Sequence, residues 1–222
     1  MKRTDFLIGL TSPLPNAILE MWPKGHLRQL WGANPHLYSA GMDKFHTHLG
    51  GHMGVDIATF HRDPVCAAHD GTVVILNVSD RARQGGLEIW ITSPELDGEE
   101  PGNSRIQTVY CHLDEITVKL GQSVKQGELI GYEGNTGMVI SGGRTFWGDA
   151  PEGVGTHLHF GLYEDIKRNG TWERRYKNVL RDSVDPLPYI SETAQNPYGN
   201  LGGIAVVLAN MAKYLSKKFG SS

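Results

Sequence analysis

Three short stretches concentrate the side chains able to hold a metal ion: Gly51-His52-Met53-Gly54-Val55-Asp56, Tyr110-Cys111-His112-Leu113 and Gly155-Thr156-His157-Leu158-His159-Phe160. Alternate residues of a β-strand face the same side. On a strand, then, His157 and His159 point together into one space while Leu158 and Phe160 turn into a core. A catalytic zinc takes three protein ligands from His, Asp or Glu and keeps a fourth position for water, whose pKa it lowers to about 7. His52, Asp56 and one of the paired histidines meet that count. The other histidine and His112 are then free to hold the water, move its proton and stabilise an oxyanion. No His-Glu-x-x-His stretch supplies a separate glutamate base.

Such a constellation needs rigid elements, and the sequence offers strands. Short β-like runs at Val55 to Ala58, Thr72 to Val78, Leu87 to Thr92, Ile106 to His112, Leu129 to Tyr132 and Leu158 to Tyr163 are separated by Gly, Asp, Asn or Pro. Trp31 to Gly54 has no clean period and reads as a long structured loop entering the first core strand. Glu95 to Ser104 reads as an acidic hairpin tip, and Met138 to Thr156 as a long exposed loop carrying Arg144, Phe146 and Trp147. Apolar residues at helical spacing, Ile204, Val207, Leu208, Met211 and Leu215, predict one helix over 201–219, docked by one face or serving as a protein-partner or surface contact. The expected fold is all-β, an antiparallel sheet-based single catalytic domain with a short C-terminal helix.

The 222 residues suffice to bury a core without staples, and 28 glycines suit a turn-rich β fold. A formal net charge of -3 excludes a general electrostatic footprint for nucleic acid. Two cysteines, Cys66 and Cys111, make no disulfide framework. No run reaches the ~18 to 20 apolar residues of a spanning helix. Met1 to Pro15 lacks the pattern of a secretory signal, so action outside the membrane implies delivery by a phage or by specialised export.

These stretches resemble the lysostaphin-type peptidoglycan metallopeptidases, whose signature is His-x-x-x-Asp early and His-x-His late. The resemblance rests on His52-Met-Gly-Val-Asp56-Ile-Ala, Pro64-Val-Cys-Ala-Ala-His-Asp-Gly-Thr-Val, Tyr110-Cys-His112-Leu, the run from Gly121 to Gly131, Gly134-Asn-Thr-Gly137 and His157-Leu-His159-Phe. It spans residues 27–190, the expected catalytic domain between an N-terminal extension (1–26) and a C-terminal segment (191–222). It implies that His52, Asp56 and His159 bind one zinc ion per chain and that His112 and His157 are the catalytic histidines. It also implies hydrolysis of stem-peptide or cross-bridge bonds in bacterial peptidoglycan, in the cell wall, the periplasm or outside the cell. Two departures border the expected cleft: Thr59-Phe-His-Arg-Asp63 replaces the usual proline and glycine turn, and the Met138 to Thr156 loop is long.

Competing readings attach to several residues. His46-Thr-His48 is a second His-x-His pair, and His48, His52 and Asp56 recur every fourth residue, as ligands on a helix would. Gly50, Gly51 and Gly54 disfavour a helix there. His26, His36, His61 and His69 read as solvated turn residues. Cys66 and Cys111 read as buried packing, with Cys111 turned away from a cleft that His112 faces. Phe146 and Trp147 are candidate substrate-binding residues. A latent enzyme or cell-wall binding module, with Asn34, His46 or His48 at the water position, is the alternative function; a phosphotransferase-type carrier would need no Asp56.

Overall fold

The computed structural model describes residues 9–35, 38, 50–96, 103–176 and 182–190. Fourteen strands occur there: β1 (Leu27–Gln29), β2 (Val55–Ile57), β3 (Pro64–Cys66), β4 (Gly71–Asn77), β5 (Leu87–Thr92), β6 (Ser104–Leu113), β7 (Glu115–Ile116), β8 (Ser123–Val124), β9 (Leu129–Tyr132), β10 (Thr136–Ser141), β11 (Arg144–Asp149), β12 (Leu158–Arg168), β13 (Thr171–Arg174) and β14 (Ser183–Val184). A 3-10 turn, Leu187–Tyr189, follows. The all-β antiparallel expectation therefore holds. His46, His48 and the 201–219 helix lie outside the described residues, within which no helix is long and apolar enough to cross a membrane.

The main sheet runs β1-β2-β12-β6-β5-β4-β8, with β13 and β14 also pairing β12; a three-stranded sheet, β3-β9-β7, and the β10–β11 hairpin complete the set. β12 is central because one of its faces is apolar over residues 158–162: Leu158, Phe160 and Leu162 are fully buried, while His159 and Tyr163 on the other face are only partly covered. They join Ile89, Ile91 and Tyr110 from the main sheet and Val65 and Ile130 from the small one in a single core. Each large apolar side chain so buried contributes about 1.5 to 3 kcal/mol. Leu10, Leu14 and Ala17 pack into that same cluster.

Three expectations are corrected. Met138 to Thr156 is not simply a loop: β10 and β11 pair from Thr136↔Asp149 to Ser141↔Arg144. Gly142 and Gly143, at φ 57 and 73, make the two-residue turn, because right-handed twist favours hairpin turns with both central residues at positive φ. His69 is not solvated: it is 2% exposed and its Nε2 accepts a hydrogen bond from the Thr108 hydroxyl at 3.0 Å. Cys111 does not turn away from the cleft side, since it lies opposite His159 in the β6–β12 register and opposed residues share a face. His112 takes φ 63, which breaks the strand alternation on which that expectation relied.

Candidate metal centre

Antiparallel pairing of β2 with β12 sets Asp56 directly opposite His159, and the turn before β2 brings His52 alongside. The turn is tied twice at His52, with Gly32 N–H donating to the His52 carbonyl at 2.7 Å and His52 N–H donating to the Ala33 carbonyl at 3.0 Å. The three side chains converge. His52 Nε2 is 2.8 Å from His159 Nδ1 and 3.0 Å from Asp56 Oδ1; His159 Nδ1 is 3.1 Å from Asp56 Oδ1. Among the described residues this is the one group of three His, Cys, Asp or Glu side chains close enough to share an ion.

The donor set fits a small divalent cation. Four ligands placed tetrahedrally at ~2.0 to 2.1 Å stand about 3.3 Å from one another, close to the observed separations. Polarity agrees. His52 Nδ1 lies 3.2 Å from the Leu30 carbonyl, so it carries the proton and Nε2 presents a lone pair towards Asp56 and His159, the arrangement typical of a metal-bound imidazole. Burial would raise the Asp56 carboxyl, yet the neighbouring imidazoles of His157, His52 and His159 hold it well below the usual carboxylate range.

His112 and His157 form a second tier beside the triad, their rings 4.6 Å apart. Each is aimed by one carbonyl. His112 Nδ1 donates to Thr136 O at 2.8 Å, and His157 Nδ1 donates to Gly155 O at 2.7 Å, so both Nε2 atoms are left for other partners. His157 Nε2 stands 3.9 Å from Asp56 Oδ1. Burial, reinforced by His157 and His159, pushes the His112 imidazole down to about 3. His112 is therefore held neutral, with the proton on Nδ1 and Nε2 unprotonated.

Several features escape a reading of residue types. The Leu30, Thr136 and Gly155 carbonyls that orient three of the histidines are backbone atoms with no signature of their own. Tyr38 lies against His52, ring centroids 5.8 Å apart, and Gln29 Nε2 donates to its hydroxyl at 2.9 Å. Gly54 makes room for the His159 ring, whose Cε1 would lie 2.9 Å from a Cβ at that position. Phe146 and Trp147 stand opposite Val139 and Met138 and so project from opposite faces of the hairpin; their side chains do not line one surface together. The hairpin signal was present, because Gly142-Gly143 separates two runs of strand-forming residues.

Within residues 50–172 the chain matches the model of peptidase family M23. It is 28% identical over 172 residues to the glycyl-glycine endopeptidase ALE-1 of Staphylococcus capitis, covering 78% of this chain and 36% of that protein. It is 34% identical over 109 residues to the peptidoglycan DD-endopeptidase ShyB of Vibrio cholerae, covering 49% and 20%. The chain thus spans well under two thirds of these relatives' own length. Among solved structures, the catalytic domain of lysostaphin from Staphylococcus simulans aligns at 27% identity and a TM-score of 0.41, over 63% of this chain and 79% of that one. The match covers more than half of the residues and encloses all three histidine-bearing stretches, and the chain belongs to peptidase family M23.

Proposed function

We propose that residues 27–190 form a zinc-dependent endopeptidase that hydrolyses stem-peptide or cross-bridge bonds of bacterial peptidoglycan. The observation that carries this reading is the triangle of His52, Asp56 and His159 donor atoms, 2.8 to 3.1 Å on a side, beside two further histidines held by backbone carbonyls. His52, Asp56 and His159 hold the metal. When bound, zinc polarises a carbonyl and makes water acidic near neutral pH. His112, held by the Thr136 carbonyl through Nδ1 with Nε2 free, would take the proton from the attacking water. His157, fixed by Gly155, donates to the oxyanion that develops on the substrate carbonyl. Family membership supports the reaction class, and relatives named for glycyl-glycine and for DD-endopeptidase activity support a peptidoglycan substrate.

Action then lies in the cell wall, the periplasm or outside the cell. Wild-type protein and His159→Ala, each with and without zinc, are to be incubated with peptidoglycan from several bacteria and the released peptides identified by mass spectrometry. New amino termini made only by the zinc-loaded wild type are expected. Zinc bound in full with no cleavage of any wall type would replace this reading with a latent enzyme or binding module.

A further inference from the structure

The loop between β4 and β5 serves both the hairpin and β6, the strand that carries His112. It is internally fixed: Asn77 Nδ2 donates to Asp80 O at 2.8 Å and to Gly86 O at 2.6 Å, and Asp80 Oδ1 accepts the N–H groups of Ala82 and Arg83. Its outward carbonyls are divided between two clients. Arg81 O and Gln84 O accept Gly137 N–H and Met138 N–H at 2.8 and 2.9 Å, at the base of the hairpin, while Gly85 O accepts His112 N–H at 2.7 Å.

The side chain of Arg81 joins the same two clients again. Its Nε donates to Asp149 Oδ1 at 2.5 Å, and its two terminal nitrogens donate to the Asp114 carbonyl at 3.0 Å and to Asp114 Oδ1 at 3.3 Å. Asp149 is the register partner of Thr136, and Thr136 supplies the carbonyl that receives His112 Nδ1–H. Asp114 lies two residues beyond His112. One guanidinium therefore spans the gap between the residue that aims His112 and the strand that carries it. A planar fork with fixed donor directions suits such a span, which a single ammonium does not.

We propose that Arg81 is a positioning residue for His112: by tying Asp149 to Asp114 it holds the Thr136 carbonyl where it keeps His112 Nδ1 engaged and Nε2 presented to the substrate. The role in hydrolysis rests on the reading of His112 as the proton acceptor; the hold on the imidazole does not. Arg81 is one-third exposed, and Asp114 keeps a second partner in Arg62, so the corner does not depend on Arg81 for folding.

The test uses zinc-loaded full-length protein carrying Arg81→Ala, Arg81→Lys or Asp149→Asn. Steady-state kinetics on soluble peptidoglycan fragments, zinc content, melting temperature and NMR exchange of the His112 Nδ1 proton are the readouts. In Arg81→Ala, kcat should fall about tenfold with KM within about twofold, as expected of a misplaced catalytic group. The His112 Nδ1 proton should exchange about tenfold faster, by local loosening rather than global unfolding. Zinc content should not change, and the melting temperature should stay within about 3 °C because such exposed pairs contribute little. Arg81→Lys should resemble Arg81→Ala, and Asp149→Asn should move both readouts in the same direction.

Unchanged exchange in Arg81→Ala and Asp149→Asn would overturn the proposal. So would full recovery by Arg81→Lys, or a loss of activity that merely follows lost zinc or lost stability. Should the wild type cleave no peptidoglycan, the functional reading fails separately, and the exchange rates still decide whether Arg81 holds the imidazole.

Discussion

A Cβ added to Gly54 would stand 2.9 Å from Cε1 and 3.0 Å from Nε2 of His159, and 2.5 Å from the carbonyl oxygen of Phe160. The backbone oxygen belongs to β12 and cannot move alone, so the ring would have to give way. Gly54→Ala is expected to cost about 1 to 3 kcal/mol as an overpacked site and to displace the ring proposed to offer Nδ1 to the metal. Zinc stoichiometry should fall well below one per chain, with the melting temperature lowered. Full zinc occupancy in a folded Gly54→Ala protein would remove His159 from the ligand set.

Removal of the metal should separate function from fold. The core of aliphatic and aromatic side chains is distinct from the triad, so a chelator is expected to abolish cleavage while leaving the β-sheet circular dichroism intact. Zinc at 100 times its Kd adds about 2.7 kcal/mol of stability by mass action, and the melting temperature should drop accordingly when it is withdrawn. Unfolding on chelation would make the ion structural.

Ligand and catalytic histidines should fail differently. His112→Ala is expected to lower kcat about 10² to 10⁴-fold, the span usual for a general base, at unchanged zinc content. Asp56→Ala should lose activity together with zinc. Elemental analysis beside kinetics separates the cases, and zinc loss in His112→Ala would reassign that residue.

Buried Glu133 gives the fold a pH dependence away from the metal. Burial raises its carboxyl to about 7, against hydrogen bonds from the Thr59 N–H and hydroxyl; Asp63 raises it further and Arg28 opposes. Because the folded value lies above the unfolded value, the native state binds the proton more tightly. The stabilising contribution is full below the unfolded pKa near 4.5 and is lost as pH rises through about 7. At about 1.4 kcal/mol per unit the loss is on the order of 3 kcal/mol. Urea denaturation of wild type and Glu133→Gln at pH 5 and pH 8.5 should show the variant losing less stability between the two; equal losses would count against this assignment.

Opposite placement of Phe146 and Trp147 on the hairpin predicts unequal roles. One of Phe146→Ala and Trp147→Ala should raise KM several-fold and the other leave it near wild type. Equal increases in KM would mean that the substrate embraces both faces of the hairpin.

Legibility from sequence followed the range of the interaction. The strands of residues 55–57, 71–77, 87–92, 104–113, 129–132 and 158–168 were visible, the fourth and last only in part, as β-like runs at 55–58, 72–78, 87–92, 106–112, 129–132 and 158–163, because apolar alternation and turn residues act locally. His157 and His159 were visible as a pair for the same reason. The hairpin at 136–149 was obscured by its polar and glycine-rich composition, although Gly142-Gly143 marks it. What remained illegible was the pairing of residues far apart: Thr136 with His112, 24 positions away, and Arg81 with Asp149, 68 positions away. Such contacts follow from topology, which residue types do not encode one by one.

His112, the next-to-last residue of β6, takes φ 63, a conformation that costs an ordinary L-residue roughly 1 to 2 kcal/mol and that asparagine tolerates well. His112→Asn would relax the backbone and could still donate a side-chain N–H to the Thr136 carbonyl, while giving up the imidazole. On the proposed reading of His112 as the proton acceptor, such a variant would fold at least as readily while losing cleavage, so libraries screened for thermal tolerance alone should admit asparagine at residue 112 where a cleavage screen would reject it.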